Sequence, residues 1–453
     1  MKKSGSTAVY LCSNCGTDYP KWLGQCPNCN EWGTLSEYKV PKGKRGSKNR
    51  MSSESTPLKN VMQKGQTKRI PTHIIEVDRV LGGGILPGSL ILLGGNPGIG
   101  KSTLALQILG KLEKPTLYIS AEESEDQIAM RAKRLQISSS DMQLSGENHI
   151  DNILEQIILL KVEVVIIDSI QTVYSDSIDS LPGSVSQIRE SGQQLLQICK
   201  ERGVTIILIG HVTKEGIIAG PRMLEHMVDT VLYLEGDDRY NHRILRSVKN
   251  RFGTTNEVGI FQMQSEGLIE VENPSELFLA ERSVNVAGSA IFPSLEGTRP
   301  ILVEVQALVS NANFGTPQRN VNGFDLRRLS MLLAVLEKRL KLPMGTRDTF
   351  VNLVGGLRID DPAADLAVIG AIASSALDKP IPQNMILIGE VGLAGEVRSV
   401  SQLEKRLVES QTLGFTSAIV PKFGFKKASQ PPENMKYYQV DSVKNAFEII
   451  FPL

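Results

Sequence analysis

The sequence predicts an α/β chain. Its centre is a phosphate-loop core on a parallel sheet, with a small metal-binding block before it and a separate α+β domain after it. Three observations predict this. Four of the five cysteines stand near the start as two C-x₂-C pairs. From about residue 65 to 272, short apolar runs such as "LILLGG", "TLYIS", "VEVVIID", "VTIILIG" and "TVLYLEG" are mostly separated by amphipathic stretches, the pattern of strands covered by helices. Past "ENPSELF" the texture changes: a strand-like "PILVEVQALV" precedes the basic helical segment "DLRRLSMLLAVLEKRL", a second apolar strand pattern and an alanine-rich helix.

Length and composition bound the rest. At 453 residues the chain suggests about three domains, and 41% hydrophobic with 22% charged residues is a globular composition. A net charge of +1 gives no whole-protein attraction to nucleic acid or to a membrane, so such binding must come from local patches. The apolar region "ILEQIILLKVEVVIID" is interrupted by Glu155, Lys161 and Glu163 and is not a bilayer span. "MKK" leads into polar residues and cysteines with no apolar core, so no signal peptide is read and a cytoplasmic protein is expected.

Taken in order, residues 1–35 are the metal-binding block. Cys12, Cys15, Cys26 and Cys29 supply four thiolates from two turns, the donor set of a structural zinc ribbon. Gly16 and Asn30 follow the two pairs and suit the left-handed conformation of such turns. Residues 36–64 are polar, basic at their centre and aperiodic, which reads as a flexible linker. Residues 65–272 form the α/β core and 273–453 the final domain. Cys199 lies on a helical stretch and is read as a core residue.

"GGNPGIGKST" meets each demand of a P-loop for ATP: Gly95, Asn96, Pro97, Gly98, Ile99, Gly100, Lys101, Ser102 and Thr103 follow a strand and open a helix. Glycines admit the phosphates to the backbone N–H groups, Lys101 reaches the β- and γ-phosphates, and Ser102 offers its hydroxyl to Mg²⁺. Asp168 ends an apolar strand, as a second Mg²⁺-holding acid or as a helix cap. Glu122 and Glu123 follow another strand, as a base for the attacking water, with Glu122 preferred, or as first-turn acids. His211 is either a γ-phosphate sensor at a strand end or an ordinary histidine. In "KNRFG", Lys249 and Arg251 fall on one side of an extended strand, as a phosphate-directed prong or as two solvated cations.

The run "CSNCG…CPNCNEW", "GGNPGIGKST", "YISAEES", "VVIIDSIQT" and "KNRFG" resembles the bacterial RadA (Sms) DNA repair proteins over nearly the whole chain. The resemblance implies a RecA-like core related to replicative hexameric helicases. It implies a DNA-dependent ATPase motor, hexameric, acting in recombination and branch migration. The partners it implies are single-stranded and branched DNA and a recombinase or replicative helicase, at the cytoplasmic nucleoid. It also implies that Lys249 and Arg251 act on a neighbouring subunit's ATP. Lys214 and Arg222 would fall in a DNA-facing loop. The C-terminal part resembles the Lon protease domain, but Ala363 and Glu404 stand where the nucleophile and lysine would be, so protease chemistry is not expected. Arg319, Arg327, Arg328, Lys338, Arg339 and Lys341 there form either a phosphate-facing surface or, equally well for most of them, a solvated helix face. A KaiC-type nucleotide-switched autokinase and an ATP-dependent protease are the competing classes.

Overall fold

A computed structural model describes residues 8–12, 17–28, 30–39, 57, 59, 68–138, 141–210, 223–236, 241–279, 282–312, 315–355, 359–423 and 433–452. The chain divides into two compact units, Met1–Glu270 and Val271–Leu453.

The first unit opens with a three-stranded antiparallel sheet of β1 (Ala8–Cys12), β2 (Asp18–Tyr19) and β3 (Leu35–Lys39) in the order β2-β1-β3. Among the described residues its core is Cys12, Cys26 and Leu35, flanked by Tyr10, Tyr19 and Leu23. A block this short is of the size that a structural metal commonly staples.

The main sheet has nine strands in the order β12-β11-β10-β9-β4-β8-β7-β5-β6. They are β4 (Leu90–Gly94), β5 (Thr116–Ser120), β6 (Met142–Ser145), β7 (Val164–Asp168), β8 (Thr205–Ile209), β9 (Thr230–Glu235), β10 (His242–Asn250), β11 (Val258–Gln264) and β12 (Gly267–Glu270). The six from β9 to β6 run parallel, and β10, β11 and β12 add an antiparallel edge. Helices are α1 (Ile75–Leu81), α2 (Lys101–Lys111), α3 (Glu125–Arg134), α4 (Ile150–Leu160), α5 (Val185–Arg202) and α6 (Met223–Met227).

Every residue of β4, β5, β7 and β8 is buried, as expected of parallel strands covered on both faces. Alternation sorts their side chains: Ile91 and Leu93 join Leu104 and Ile108 of α2 on one face, while Leu90 and Leu92 join Ile153, Ile157 and Leu195 of α4 and α5 on the other. The region "ILEQIILLKVEVVIID" divides into α4 and β7, and no helix among the described residues is long and apolar enough to cross a membrane.

The second unit holds a mixed seven-stranded sheet, β15-β16-β14-β13-β17-β20-β21. Its strands are β13 (Ser289–Glu296), β14 (Arg299–Asn311), β15 (Arg319–Asn322), β16 (Arg347–Leu353), β17 (Met385–Leu387), β20 (Ser417–Pro421) and β21 (Lys436–Val440). A two-stranded piece, β18 (Glu390–Val391) with β19 (Val397–Arg398), stands apart. Helices α7 (Pro274–Leu279), α8 (Leu326–Leu340), α9 (Asp365–Leu377), α10 (Leu403–Thr412) and α11 (Val443–Ile450) complete it. The fold class is α/β, a RecA-like core with a parallel sheet, preceded by a zinc ribbon and followed by a Lon-protease-like α+β domain.

Candidate active site

The phosphate loop joins β4 to α2. Gly95 has φ +149°, and a Cβ there would stand 2.5 Å from the Leu234 carbonyl oxygen. Gly100 caps α2 with φ +114° and no side-chain hydrogen bond, so the first N–H groups of the helix face the loop unshared with a capping side chain. Ile99 anchors the loop in the core, whereas Asn96, Pro97 and Gly98 are exposed. Lys101 is 4% exposed and its Nζ donates to the carbonyls of Gly95 (2.9 Å) and Asn96 (3.0 Å). Burial pushes this ammonium below its usual range, against the opposing pull of Asp168 and Glu122. These two carboxylates and the lysine therefore share one electrostatic field. Ser102 and Thr103 follow in the first turn of α2, both partly buried.

Asp168 ends β7, in register with Ser120 of β5. It is 5% exposed, and the Tyr118 hydroxyl donates to its Oδ2 at 2.6 Å. Tyr118 is fully buried; burial and the adjacent carboxylate hold its proton well above the usual phenol range, so it stays a donor. The next residue, Ser169, donates from Oγ to Oε1 of Glu122 at 2.5 Å. Glu123, by contrast, is paired with Arg131. The two adjacent glutamates are thus unlike: Glu122 is exposed beside Asp168, and Glu123 is neutralised by a helix arginine. A buried carboxylate at Asp168 with a hydroxyl at Ser102 is a hard-oxygen donor set suited to Mg²⁺. Tyr118 and Ser169 were not among the expected site residues. A single phenol inside the buried run "TLYIS" is the signal for Tyr118, since a buried Tyr hydroxyl needs a partner.

"KNRFG" lies at the other end of the strands. Lys249 pairs with Val231 and Asn250 with Thr230, and the Arg251 N–H reaches the carbonyl of Asp229. The P-loop begins beyond Gly94, which pairs with Tyr233. From Asp229 to Leu234, the residue facing Gly95, the strand advances five residues, roughly 16 Å at strand rise. No arginine side chain spans that within one chain. A bulge between Ser247 and Lys249 turns the end of β10. The turn itself is fixed: Asn250 Oδ1 accepts from the Phe252 N–H at 3.0 Å, Arg69 donates to the Phe252 carbonyl at 2.7 Å, and Lys200 lies 5.7 Å above the Phe252 ring.

The two cations differ in their surroundings. Lys249 Nζ donates to three carbonyls, of Glu225 (2.6 Å), His226 (3.1 Å) and Val228 (2.8 Å). Partial burial and the charge of Arg251 push its ammonium below the usual value. Arg251 is 53% exposed; its Nη2 donates to the His226 carbonyl at 3.4 Å and its Nη1 lies 3.6 Å from Asp229 Oδ1. Asp229 is itself buried and tied to Lys200 (2.8 Å) and the Leu90 N–H (3.1 Å).

In the ribbon, Cys12 and Cys26 are fully buried. The Cys12 thiol donates to the Thr34 hydroxyl at 3.2 Å, and the Tyr19 hydroxyl lies 3.6 Å from Cys26 Sγ. Asn30 has φ +59°, the left-handed turn expected after a metal-binding pair. This chemistry fits zinc. Cys15, Gly16, Cys29, His211, Lys214 and Arg222 lie outside the described residues.

In the second unit, Arg319 and Arg327 are exposed, but Arg328 makes two 2.5 Å hydrogen bonds to fully buried Asp365. That carboxylate holds the guanidinium above its usual range. Arg328 is a strut of the fold, its guanidinium engaged by Asp365. Ala363 is 1% exposed in a single 3₁₀ turn (Pro362–Ala364) capped by Asp361. Arg406, also 1% exposed, reaches Asp361 Oδ2 at 2.6 Å and donates to the Pro293 carbonyl at 2.6 Å.

Three family models match the chain. A rubredoxin metal-binding domain covers residues 10–37, a KaiC-type ATPase 70–276, and the Lon protease (S16) C-terminal proteolytic domain 348–451. A DNA repair protein RadA of Listeria monocytogenes is 48% identical, over 93% of each chain. The chain belongs to the RadA family of DNA repair proteins. The RadA of Bacillus subtilis is 47% identical over 97% of each chain, and that of Chlamydia pneumoniae 47% over 97% of this chain and 98% of its own. As a RadA-family member the chain carries an ATPase core of the RecA-like type, with a metal-binding ribbon before it and a Lon-like domain after it.

Proposed function

We propose that this protein is a DNA-dependent ATPase motor. It assembles head to tail into a ring, hexameric by analogy with replicative helicases, and drives branch migration and processing of recombination intermediates on single-stranded and branched DNA. One observation carries the reading: Arg251 stands at the opposite end of β9 and β4 from its own phosphate loop, with an exposed fork. A cation so placed serves a neighbour's nucleotide, and a heterologous contact that repeats closes into a ring.

Lys101 then holds the phosphates, Ser102 and Asp168 hold Mg²⁺, and Glu122 orients the attacking water. Magnesium neutralises charge on the β- and γ-oxygens when bound. Arg251 of the adjoining copy offsets charge that develops on the transferring phosphoryl group, an effect on the order of 10³–10⁵ in rate in comparable systems. The second unit contributes assembly and DNA contact, with Arg319 and Arg327 as exposed cations. The methyl of Ala363 offers no nucleophile, which supports a scaffold without protease activity.

A mixing experiment tests the shared site. Lys101→Ala lacks a cradle and keeps its arginine; Arg251→Ala keeps the cradle and lacks the arginine. Each alone should hydrolyse ATP poorly with single-stranded DNA present, and an equimolar mixture should regain activity at seams that pair the two intact halves. Wild-type rates for Arg251→Ala alone, or a mixture as inactive as its components, would overturn the reading.

A further inference from the structure

The short helix α6 is held from two sides. Lys249, at the end of β10, uses three hydrogen bonds on the carbonyls of Glu225, His226 and Val228. An ammonium has three donors, so none is left for a phosphate. These carbonyls stand at the helix C-terminus, where the peptide dipoles present their negative end. On the other side, the Tyr233 hydroxyl of β9 donates to Glu225 Oε1 at 3.2 Å. The ring of the same tyrosine packs over Gly94, 3.2 Å from where a Cβ would stand. Gly94 is the last residue of β4 before the phosphate loop. So α6 is tied to the strand that carries Arg251 and, through Tyr233, to the strand that carries the cradle. In sequence it directly follows residues 211–222, the stretch expected to face DNA.

We infer that Lys249 is a positioning residue and not a phosphate ligand. It straps α6 to the base of Arg251, so that α6 relays the DNA-bound state to the arginine offered to the neighbour and to the chain's own cradle. The inference rests on the DNA-dependent ATPase reading. Movement of α6 must carry the end of β10 with it or break three hydrogen bonds at once. The bulge beside Lys249 gives that strand end a place to pivot.

The test is ATP hydrolysis with and without single-stranded DNA, for the wild type, Lys249→Gln, Lys249→Arg, Tyr233→Phe and Arg251→Ala. Thermal melting and DNA affinity are measured alongside. Lys249→Gln should lose most of the DNA stimulation, its ratio of stimulated to basal rate falling towards unity. Lys249→Arg, which keeps donors for the carbonyls, should retain more of that ratio. Tyr233→Phe should lower it in the same direction by less. Arg251→Ala should depress both rates together. If Lys249→Gln keeps the wild-type ratio the relay is wrong, and if it loses both rates in the proportion seen for Arg251→Ala then Lys249 contacts phosphate and the relay is wrong as well. Should Lys249→Gln fail to fold, Tyr233→Phe decides, and a wild-type ratio there overturns the proposal. A wild type indifferent to DNA would sink the parent reading and this one together. A stimulated wild type with a defective Arg251→Ala and a normal Lys249→Gln sinks this one alone.

Discussion

Glu122 and Glu123 are chemically the same group at consecutive positions, and their neighbours separate them. Glu122 accepts from Ser169, next to Asp168, while Glu123 is spent on Arg131. Glu122→Gln should therefore bind ATP normally and hydrolyse it slower by about 10²–10⁴-fold, the usual worth of a positioned base. Glu123→Gln should cost little turnover; equal losses in single-turnover assays would reverse the assignment. A glutamate pair after a buried strand was legible in the sequence. The difference between their surroundings was not: Arg131 lies eight residues on, and only the packing of α3 brings it back. Tyr118 escaped notice for a related cause. Its partner Asp168 is fifty residues away, and the contact arises from the pairing of β5 with β7.

Among elements, the turn after β10 explains every letter of "KNRFG". Lys249 straps α6, Asn250 caps the turn, Arg251 projects, and Phe252 lies under Lys200. Gly253 leaves room, since a Cβ there would meet Asn250 Nδ2 at 2.8 Å. Gly253→Ala should displace Asn250 and with it Arg251. The expected result is a kcat lowered by on the order of tenfold to a hundredfold with KM for ATP little changed, because misplacing a reacting group costs that much. A matching rise in KM would show that the cradle had moved instead. Local rules made the parallel strands and their helices readable, and the same holds for α3, whose "SEDQ" start forms a capping box between Ser124 and Gln127. They do not yield the antiparallel β10–β12 edge, because strand order depends on long-range pairing.

For the molecule as a whole, composition shifts marked out the ribbon, core and C-terminal domain, whereas charge counting cannot tell the C-terminal arginines apart. Arg327 and Arg328 are neighbours in sequence; one is exposed and the other neutralises a carboxylate with no solvent access. Arg328→Ala leaves Asp365 uncompensated and should destabilise the second unit by about 3–5 kcal/mol. Arg327→Ala should stay within about 0.5 kcal/mol of the wild type, and equal melting of the two variants would refute the distinction. The remote placement of Arg251 has a last consequence. In the proposed ring, damage at that position would be felt next door: the injured copy would still burn fuel, while the one it serves would fall idle. A minority of such copies would therefore stall many more working pockets than their own number, provided firing passes in turn from seat to seat.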